Sequence, residues 1–401
     1  MRNSEKEYRM KAVILAGGKG TRVRPLTYML PKPMVPIVER PIMSFLLDLL
    51  KRHDFNEVIV TVGYMANTIE DHYKNGADYD MQIAYSLEGK LEEGEIVPVG
   101  LGSAGGLKKV QDYSQFFDEP FLVICGDALI DIDFTTAMEF HKKNKATATV
   151  ICKEVPKDEV YKYGVVVTNE NQEVLSFQEK PKVEEAKSNI INTGIYIFDP
   201  KVFDYIPEHG EFDIGGELLP LLVEKGEPFY AIAPEFQWVD VGSTKDFYEA
   251  NIMLVNEEIN GVKPSGKEIM PGIWAGINCD IHLNEVELIP PIYFGSSVRL
   301  EKGVTVIGPS MIGSGCIIKE NATIKESVVL GYTKVSPHAK IDKKIIAGKY
   351  IINPLGNSID IEESDISFLV DDARKEEGVL SEEQKEIMEM IQNISELATN
   401  R

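Results

Sequence analysis

The chain of 401 residues holds 64 acidic and 42 basic side chains, which gives a formal net charge of −22. This acidity argues against general nucleic-acid binding, which requires a broad basic surface, while a local basic pocket for a small anion stays compatible with it. Hydrophobic residues make up 43% of the chain and charged residues 26%, as in ordinary globular proteins, and the length suits two domains.

The amino-terminal segment and the cysteines bear on the compartment. The first apolar run, residues 12–16, follows a polar start and is too short for a signal peptide. No stretch approaches the ~20 apolar residues of a membrane span. The cysteines are widely separated and form no CxxC pair, so we expect reduced thiols rather than disulfides or a cysteine-bound metal. These features predict a cytoplasmic protein with no membrane and no nucleic-acid partner.

A basic segment, residues 8–38, surrounds that first apolar run and contains no Asp or Glu, although the whole chain is strongly acidic. Its glycines at 17, 18 and 20 would let backbone N–H groups approach phosphates closely. Arg22 supplies a forked cationic donor and Lys32 a compact charge. The segment matches neither a Walker loop nor a dinucleotide fingerprint. It predicts an anion-binding loop, and the alternative is a mobile glycine turn with solvated charges.

Short apolar runs alternate with helical patterns in the first half of the chain. The runs at 12–16, 57–62 and 121–125 have the length and composition of strands, and residues 41–53 and 103–113 have helical periodicity. This alternation predicts an α/β domain with a parallel sheet built of βαβ units. Ligands of such sheets bind beyond the carboxyl ends of the strands, so we expect the chemistry in the loops that follow them.

A six-residue repeat begins near residue 290. Its large apolar positions are Phe294, Leu300, Val306, Ile312, Ile318, Ile324 and Leu330. The residues two places earlier are small or apolar: Ile292, Val298, Val304, Ser310, Cys316, Ala322 and Val328. This period predicts a parallel β-helix in which each hexapeptide forms one face of a coil. The pattern slips by one residue after Tyr332 and resumes at Val335 and Ile341.

The carboxyl-terminal segment is acidic and ends in an amphipathic pattern. Ser381 is a candidate helix cap, and an apolar stripe follows it at Ile387, Ile391, Ile394 and Leu397 or Ala398. We expect this helix to dock on the body of the protein or on a second subunit.

The motif "LAGGKGTRVRPLT…PKPM" closely resembles the signature of the sugar-nucleotide pyrophosphorylases, the nucleotidyltransferases that make NDP-sugars. The family's other motifs follow in order: Gly126-Asp127, Glu179-Lys180-Pro181, Asn192 to Tyr196, and Trp238 to Gly242. The resemblance covers roughly residues 10–350. It implies a Rossmann-like nucleotidyltransferase domain with a mixed, mainly parallel sheet over 10–258. A left-handed parallel β-helix of hexapeptide repeats would follow over 259–350, and an acidic segment with an amphipathic helix over 351–401.

The resemblance also assigns roles to individual residues. Asp127 and Asp240 would share Mg²⁺ bound to the triphosphate, and Arg22 and Lys32 would steady the α-phosphate and the leaving pyrophosphate. Lys180 would hold the sugar phosphate and complete the catalytic set. The implied nucleotide-binding residues are Leu15, Ala16, Gly17, Gly18, Gly20, Thr21, Glu88 and Gly102. The implied sugar-phosphate site consists of Gly164, Glu179, Lys180, Asn192 and Gly194.

The identity of the substrates follows less directly. Residues 88–111, 125–133 and 191–200 are similar to the family members that make UDP-glucose from UTP and glucose 1-phosphate. The alternative is GDP-mannose from GTP and mannose 1-phosphate. A carboxylate at Glu88 could accept both N1–H and N2–H of guanine but only N3–H of uracil, so hydrogen-bond counting favours guanine whereas the resemblance favours uracil.

Two other classes of function compete with a transferase. A non-catalytic NDP-sugar-binding subunit would be expected to lose a metal aspartate or a phosphate lysine, yet Asp127, Asp240, Lys180 and Lys32 are all present. An acyltransferase on the β-helix would need a histidine base, and His338, the one histidine in the repeats, lies where the period slips. We therefore expect the coil to stabilise the protein and to mediate homo-oligomer formation.

Overall fold

The computed structural model describes residues 10–92, 95–376 and 381–399, which pack as two compact units. The first unit contains residues 10–19, Leu30–Met34 and Ile42–Trp238. The second contains Gly20–Met29, Val35–Pro41 and the described residues from Val239 onward. The basic segment is therefore divided between the two units. The predicted domain boundaries at 258 and 350 stay predictions.

The first unit is built on a mixed sheet that has nine strands among the described residues. The strands are β1 (Met10–Ala16), β2 (Phe55–Val62), β3 (Gln82–Leu87), β4 (Phe121–Cys125), β5 (Ala148–Glu154), β6 (Val165–Thr168), β7 (Val174–Gln178), β8 (Ile190–Phe198) and β9 (Phe229–Ile232). Their order is β7-β6-β8-β4-β1-β2-β3, and β5 pairs with β8 and β9.

Strand β1 runs parallel to both of its neighbours, with Leu15 opposite Thr61 of β2 and Cys125 of β4. This confirms the parallel strands predicted at 12–16, 57–62 and 121–125. Strand β8 is antiparallel to β4, β5 and β6, which makes the sheet mixed. Because β1 and β4 are parallel neighbours, Gly17 and Asp127 follow them at the same edge of the sheet.

Both faces of this sheet are covered. Ala12 and Ile14 of β1 pack in one hydrophobic core and Val13 in the other, as the twofold periodicity of a strand requires. The helices are α1 (Ile42–Arg52), α2 (Ala66–Tyr73), α3 (Gly102–Ser114), α4 (Phe134–Asn144) and α5 (Leu219–Lys225). Helices α1 and α3 confirm the two helical patterns predicted from the sequence.

Several short elements complete the first unit. The strands Gly89–Glu92 and Glu95–Pro98 form a hairpin, and Ala128–Ile130 follows β4. The short helices are Lys32–Met34, Ala77–Tyr79, Lys157–Lys162, Pro200–Tyr205 and Ile214–Leu218. The strand Trp238–Asp240 begins in the first unit and ends in the second.

The second unit contains a parallel β-helix with three sheets. The first sheet consists of Lys267–Met270, Ile273–Ala275, Ile292–Phe294, Ser310–Ile312, Val328–Val329, Ile345–Ala347, Tyr350–Ile352 and Ser358–Asp360. The second consists of Asp280–Ile281, Arg299–Leu300, Ile317–Ile318, Thr333–Val335 and Val370–Asp372, and the third of Glu287–Ile289, Thr305–Ile307, Thr323–Lys325 and Lys340–Asp342. Phe294 pairs with Ile312 and Leu300 with Ile318, so three hexapeptides make one coil, as predicted.

The position of the slip in the repeat was predicted wrongly. Ile312 pairs with Val329, not with Leu330, so one coil is shortened between Ile324 and Val329 rather than after Tyr332. Val329 is buried in the interior of the coil, whereas Leu330 is only half-buried. Ser327 takes the small inward position expected for Val328, and its N–H donates to Ser310 Oγ at 3.2 Å. Val335 and Ile341 follow in the predicted places.

The remaining elements of the second unit are short except for two helices. They are the single-turn helices Thr21–Val23 and Leu26–Tyr28, the hairpin strands Pro36–Ile37 and Arg40–Pro41, and helices α6 (Thr244–Val255) and α7 (Glu382–Thr399). No helix of the described residues is long and apolar enough to cross a membrane.

Helix α7 begins with the predicted cap. Ser381 Oγ accepts the Gln384 N–H at 3.2 Å, and Gln384 Oε1 accepts the Ser381 N–H at 3.0 Å, which is a capping box. Ile387 and Ile391 of the predicted stripe are half-buried. The side chains of Ile394, Leu397 and Ala398 lie outside the described part of the chain.

Candidate active site

Glu88, which directly follows β3, lies between two glycine backbones. A Cβ on Gly17 would come within 2.6 Å of Glu88 Oε2, and a Cβ on Gly106 would collide with Oε1. The Oε1 atom is buried and has no hydrogen-bond partner among the described residues. Because buried polar atoms are normally paired, this oxygen is a candidate contact for a polar ligand.

Burial raises the pKa of the Glu88 carboxyl, because the charged form loses its hydration. A hydrogen bond from Thr61 and the charge of Lys109 lower the pKa and partly oppose this effect. The neutral carboxyl is therefore favoured more than in an exposed glutamate. A neutral carboxyl donates one hydrogen bond and accepts others, whereas the ionised form only accepts.

The hairpin Gly89–Glu92/Glu95–Pro98 carries the chain away from Glu88 and returns it to the same place. Gly89 lies opposite Pro98, and the Val99 N–H donates to the Glu88 carbonyl at 3.0 Å. The hairpin thus forms an excursion that leaves Glu88 close to the start of helix α3. The carboxyl group lies beside Gly17, which directly follows β1.

Helix α3 begins at Gly102, whose φ of +72° lies in the left-handed region that favours glycine. A Cβ at Gly102 would collide with the backbone of Phe212, and the N–H groups of Ala104 and Gly105 both donate to the Phe212 carbonyl at 3.0 Å. Gly102 therefore packs against Phe212, and Gly106, one helical turn later, is the glycine beside Glu88.

The other predicted nucleotide-binding residues fall in both units. In the first unit, the Leu15 carbonyl accepts the Gly126 N–H at 2.9 Å, Ala16 is buried and Gly18 is exposed, with open space where a Cβ would lie. In the second unit, the Gly20 carbonyl accepts the Val23 N–H and the Thr27 hydroxyl, which closes a compact turn. Thr21 and Arg22 on that turn are exposed to solvent.

Lys32 and Asp127 form an ion pair in the first unit. Their side chains are 12% and 23% exposed, so the pair is sheltered but reachable from solvent. Gly126 brings Asp127 close to β1, because a Cβ at Gly126 would lie 3.1 Å from the Leu15 carbonyl oxygen. The edge of the sheet thus presents a cation and a carboxylate together, which are the groups that a phosphate and its counter-ion require.

A divalent cation fits Asp127 only if other ligands complete its coordination. Among the described residues, no cluster of three or more His, Cys, Asp or Glu side chains could hold a metal by itself. Mg²⁺ is commonly bound through one or two carboxylates, with substrate phosphates and water as its other ligands. Asp240 is half-buried at the end of Trp238–Asp240 in the second unit, and its carbonyl accepts the Gly242 N–H at 2.7 Å. Both aspartates are oxygen donors of the type that Mg²⁺ prefers.

Four of the predicted sugar-phosphate residues come together in the first unit. Glu179 Oε2 would lie 3.1 Å from a Cβ on Gly164, and the Gly164 carbonyl accepts the Asn192 N–H at 2.8 Å. Lys180 Nζ lies 3.1 Å from Glu179 Oε1, and its side chain is 63% exposed. An exposed ammonium beside a carboxylate and a backbone glycine can bind a phosphorylated, hydroxyl-rich ligand.

Gly194, the fifth predicted residue, connects this cluster with the edge that carries Asp127. Its φ is +75°, and a Cβ there would lie 2.9 Å from Cys125 Sγ. The Gly194 N–H donates to Asn192 Oδ1 at 2.9 Å, and Asn192 Nδ2 donates to the Tyr196 hydroxyl at 2.7 Å. Gly194 and Tyr196 therefore fix the orientation of the Asn192 amide.

A family model described as "Nucleotidyl transferase" matches residues 11–257. The chain belongs to the nucleotidyl transferase family. It is 47% identical to a UTP--glucose-1-phosphate uridylyltransferase of Synechocystis over 96% of this chain and 100% of that protein. It is 34% identical to a mannose-1-phosphate guanylyltransferase catalytic subunit beta of Xenopus tropicalis, over 68% of this chain and 71% of that protein.

The fold of this nucleotidyl transferase is also similar to a solved structure. A UDP-glucose pyrophosphorylase complexed with UDP-glucose matches with a TM-score of 0.53 and 21% identity, over 62% of this chain and 99% of that one. The likeness supports the α/β fold of the first unit.

One connection within the candidate site was not predicted. Ser103 Oγ donates to Asp213 Oδ2 and accepts the Ile214 N–H, both at 2.8 Å. Asp213 Oδ1 accepts the Gly215 N–H at 2.9 Å, and a Cβ on Gly215 would lie 3.0 Å from Glu179 Oε2. Asp213 thus joins the start of helix α3 to the surroundings of Glu179. No motif signalled this link, because its partners are far apart in the sequence.

Proposed function

We propose that the protein transfers a uridylyl group from UTP to glucose 1-phosphate, producing UDP-glucose and pyrophosphate. The observation that carries this proposal is the 47% identity to the Synechocystis uridylyltransferase over that enzyme's whole length. A phosphate oxygen of glucose 1-phosphate attacks the α-phosphorus of UTP and forms a new P–O bond. The bond between the α-phosphorus and the bridging oxygen breaks, and pyrophosphate leaves with the electron pair.

This reaction needs charge neutralisation and alignment more than covalent help. We assign Lys32 and Arg22 to the triphosphate, where their charges stabilise the α-phosphate and the departing pyrophosphate. Lys180 binds the phosphate of the sugar, and the adjacent Glu179 accepts hydrogen bonds from sugar hydroxyls. The Glu179–Lys180 contact of 3.1 Å supports this division, since the pair can bind both ends of a sugar phosphate.

The proposed divalent cation is Mg²⁺, with Asp127 and Asp240 as its protein ligands. When bound, it would neutralise charge on the triphosphate oxygens and orient the α-phosphorus. The position of Asp127 beside Lys32 at the sheet edge supports its assignment, while that of Asp240 depends on its motif.

Burial favours the neutral form of the Glu88 carboxyl, and this form supports uracil as the base. A neutral carboxyl can accept N3–H of uracil and donate its O–H to a neighbouring carbonyl oxygen, which satisfies the N–H and one of the two carbonyls of the imide. The unpartnered Oε1 beside Gly106 leaves an oxygen for one of these bonds. The other oxygen of this carboxyl group, Oε2, occupies the space that the missing side chain of Gly17 leaves.

A second candidate function is the synthesis of GDP-mannose. The observation that favours it is the Glu88 carboxyl itself, because its ionised form would accept both N1–H and N2–H of guanine. The identity of 34% to the Xenopus tropicalis guanylyltransferase subunit supports it less, since that match covers 68% of this chain.

A substrate matrix distinguishes the two functions. Pyrophosphate release is measured with UTP, GTP, dTTP, ATP and CTP against the 1-phosphates of glucose, mannose and galactose. We expect the highest kcat/KM for UTP with glucose 1-phosphate. A higher value for GTP with mannose 1-phosphate would replace the first function by the second, and no turnover with any pair would contradict both.

A further inference from the structure

A strained hairpin at residues 36–41 ends the basic segment. Val38 and Glu39, between the strands Pro36–Ile37 and Arg40–Pro41, have φ values of +44° and +65°. Left-handed backbone is unfavourable for any side chain and most unfavourable for a β-branched one such as valine. Such strain persists only where the surrounding structure holds it, and it is concentrated at functional sites. The strain at Val38 and Glu39 therefore indicates that specific contacts hold the hairpin.

The Glu39 carboxylate is held by donors from the β-helix. Its Oε2 accepts the Ser314 hydroxyl at 2.9 Å and the Tyr293 hydroxyl at 3.1 Å, and its Oε1 accepts the Ser314 N–H. The Tyr293 hydroxyl is itself 3.0 Å from Ser265 Oγ. A side chain on Gly295 would collide with Glu39 Oε2, so the coil leaves room for this carboxylate. Hydrogen bonds to an ionised acceptor are the stronger kind.

Helix α6 holds the other half of the turn. The Val38 N–H donates to Asn251 Oδ1 at 2.8 Å, and Asn251 is fully buried. Asn251 Nδ2 donates to the Phe247 carbonyl at 2.8 Å, which fixes the direction of the amide. Helix α6 also contacts the turn Thr21–Val23, which carries Arg22. The hairpin and the arginine turn thus pack on the same helix within the second unit.

We propose that Glu39 is a positioning residue for nucleotide binding, because it fastens the hairpin at the end of the basic segment to the β-helix. Glu39 holds the hairpin segment Val35–Pro41, which packs on the same helix as the turn of the segment Gly20–Met29. The fixed conformation of these second-unit segments sets the position of Arg22. The proposal rests on the transferase function proposed above. It gives the β-helix a part in substrate binding in addition to stability.

The chemistry of Glu39 predicts a graded series of variants. Three donors converge on the carboxylate, so Glu39→Ala leaves all three without their acceptor. Glu39→Gln keeps one acceptor oxygen, and the hydroxyls can rotate to accept from the new amide. Tyr293→Phe removes one donor only. We expect the effects to decrease in the order Ala, Gln, Phe.

Steady-state kinetics of the full-length enzyme test the proposal. Glu39→Ala should raise KM for the nucleotide by about ten-fold and lower kcat, as expected when charge-assisted hydrogen bonds are lost. KM for the sugar 1-phosphate should stay within about two-fold of the wild-type value. Glu39→Gln should recover part of the loss, and Glu287→Gln, an exposed glutamate on the coil, is the matched control. Unchanged kinetic constants in a variant with only a lower Tm would overturn the proposal.

Hydrogen exchange provides a second readout that needs no activity. Glu39→Ala and Tyr293→Phe should speed backbone exchange in residues 20–29 and 35–41, while strand β4 keeps its protection. Unchanged exchange in those two segments would overturn the proposal, even if the enzyme acts on other substrates. If the wild type released no pyrophosphate, the proposed function would fail, and faster exchange in the variants would still support the fastening role of Glu39.

Discussion

The carboxyl group of Glu88 occupies the space that the missing side chain of Gly106 leaves open. The sequence predicted Glu88 and Gly17 as nucleotide-binding residues, but not Gly106. Gly106 lies four residues after Gly102, so helical spacing would have placed both near the same face of α3. A glycine inside a helix reduces its stability, and this one permits the close approach of a buried carboxyl group.

Substitution of Gly106 tests this close approach. In Gly106→Ala the new Cβ would collide with Glu88 Oε1 and displace the carboxyl group. We expect kcat/KM for the nucleotide to fall by about ten-fold or more, as for the loss of one or two well-placed hydrogen bonds. Gly105→Ala is the control on the same helix, since its Cβ would meet only ordinary contacts of 3.4 Å and longer. Equal effects of the two substitutions would contradict the role of Gly106.

The protonation of Glu88 makes a second prediction at this scale. Burial raises the pKa of Glu88, so rising pH should ionise it, remove its O–H donor and raise KM for UTP. In Glu88→Gln the amide offers N–H donors and an acceptor oxygen at every pH. We expect this variant to use UTP with kcat/KM within about three-fold of the wild type and with a flatter pH profile.

Guanine would lose its charge-assisted pair of hydrogen bonds in Glu88→Gln. If the wild type preferred GTP with mannose 1-phosphate and the variant lost that activity, the guanylyltransferase function would be correct and the uridylyltransferase function wrong.

A third prediction concerns Lys180, whose ammonium group is exposed. The neighbouring exposed Lys182 serves as its control. Lys180→Ala should raise KM for glucose 1-phosphate more than KM for UTP, since a charge-assisted hydrogen bond contributes about 1.5–3 kcal/mol. Arg22→Ala should do the reverse. Lys182→Ala removes a neighbouring lysine that is 79% exposed and should leave both KM values unchanged. If Lys180→Ala and Arg22→Ala weakened the same substrate, the division of the site would be wrong.

At the scale of elements, Asp213 joins the start of helix α3 to the surroundings of Glu179. Asp213→Ala would release the Ser103 hydroxyl and the Gly215 N–H together. We expect KM for both substrates to rise by several-fold, because helix α3 and the surroundings of Glu179 lose a common anchor. Measuring both constants in one variant checks this expectation.

Asp199→Ala is the control for that experiment. Asp199 also caps a short helix, with its carboxylate accepting the Lys201 N–H at 2.9 Å, but it follows β8 at the opposite edge of the sheet. Both variants should lose about 1 kcal/mol of stability through the missing cap. If both KM values also rose in Asp199→Ala, the rise in Asp213→Ala would be a consequence of lost stability alone.

Sequence patterns predicted the elements that repeat and missed those defined by long-range pairing. The apolar runs of β1, β2 and β4 predicted strands correctly, because each strand is buried on both faces. Strands β6 and β7 form an antiparallel hairpin that the alternation of strands and helices did not include. Counting in sixes misplaced Leu330, because the register of the short coil is set by backbone pairing of Ile312 with Val329. A periodicity predicts the average repeat but does not locate a single deletion within it.

At the scale of the whole molecule, the basic segment is divided between two units, and part of it belongs to the unit that contains the β-helix. Gly20–Met29 and Val35–Pro41 pack with the carboxyl-terminal half of the chain, although the family motif reads as one continuous stretch. No local pattern indicates that a loop will be shared in this way, because burial depends on surfaces formed far along the chain. The coil contacts the segment that directly follows the motif, through the hydrogen bonds of Tyr293 and Ser314 to Glu39.

Truncation after about residue 260 tests this relation at the largest scale. It removes Ser314 and Tyr293, the partners of Glu39, and exposes the apolar surface that the coil covers. We expect the fragment to keep the circular dichroism of an α/β sheet, because both cores of that sheet lie within residues 12–236. It should lose nucleotide binding and show a changed mass distribution by light scattering, as expected if the coil also mediates self-association. A soluble fragment with the activity and mass distribution of the parent would contradict both roles of the β-helix.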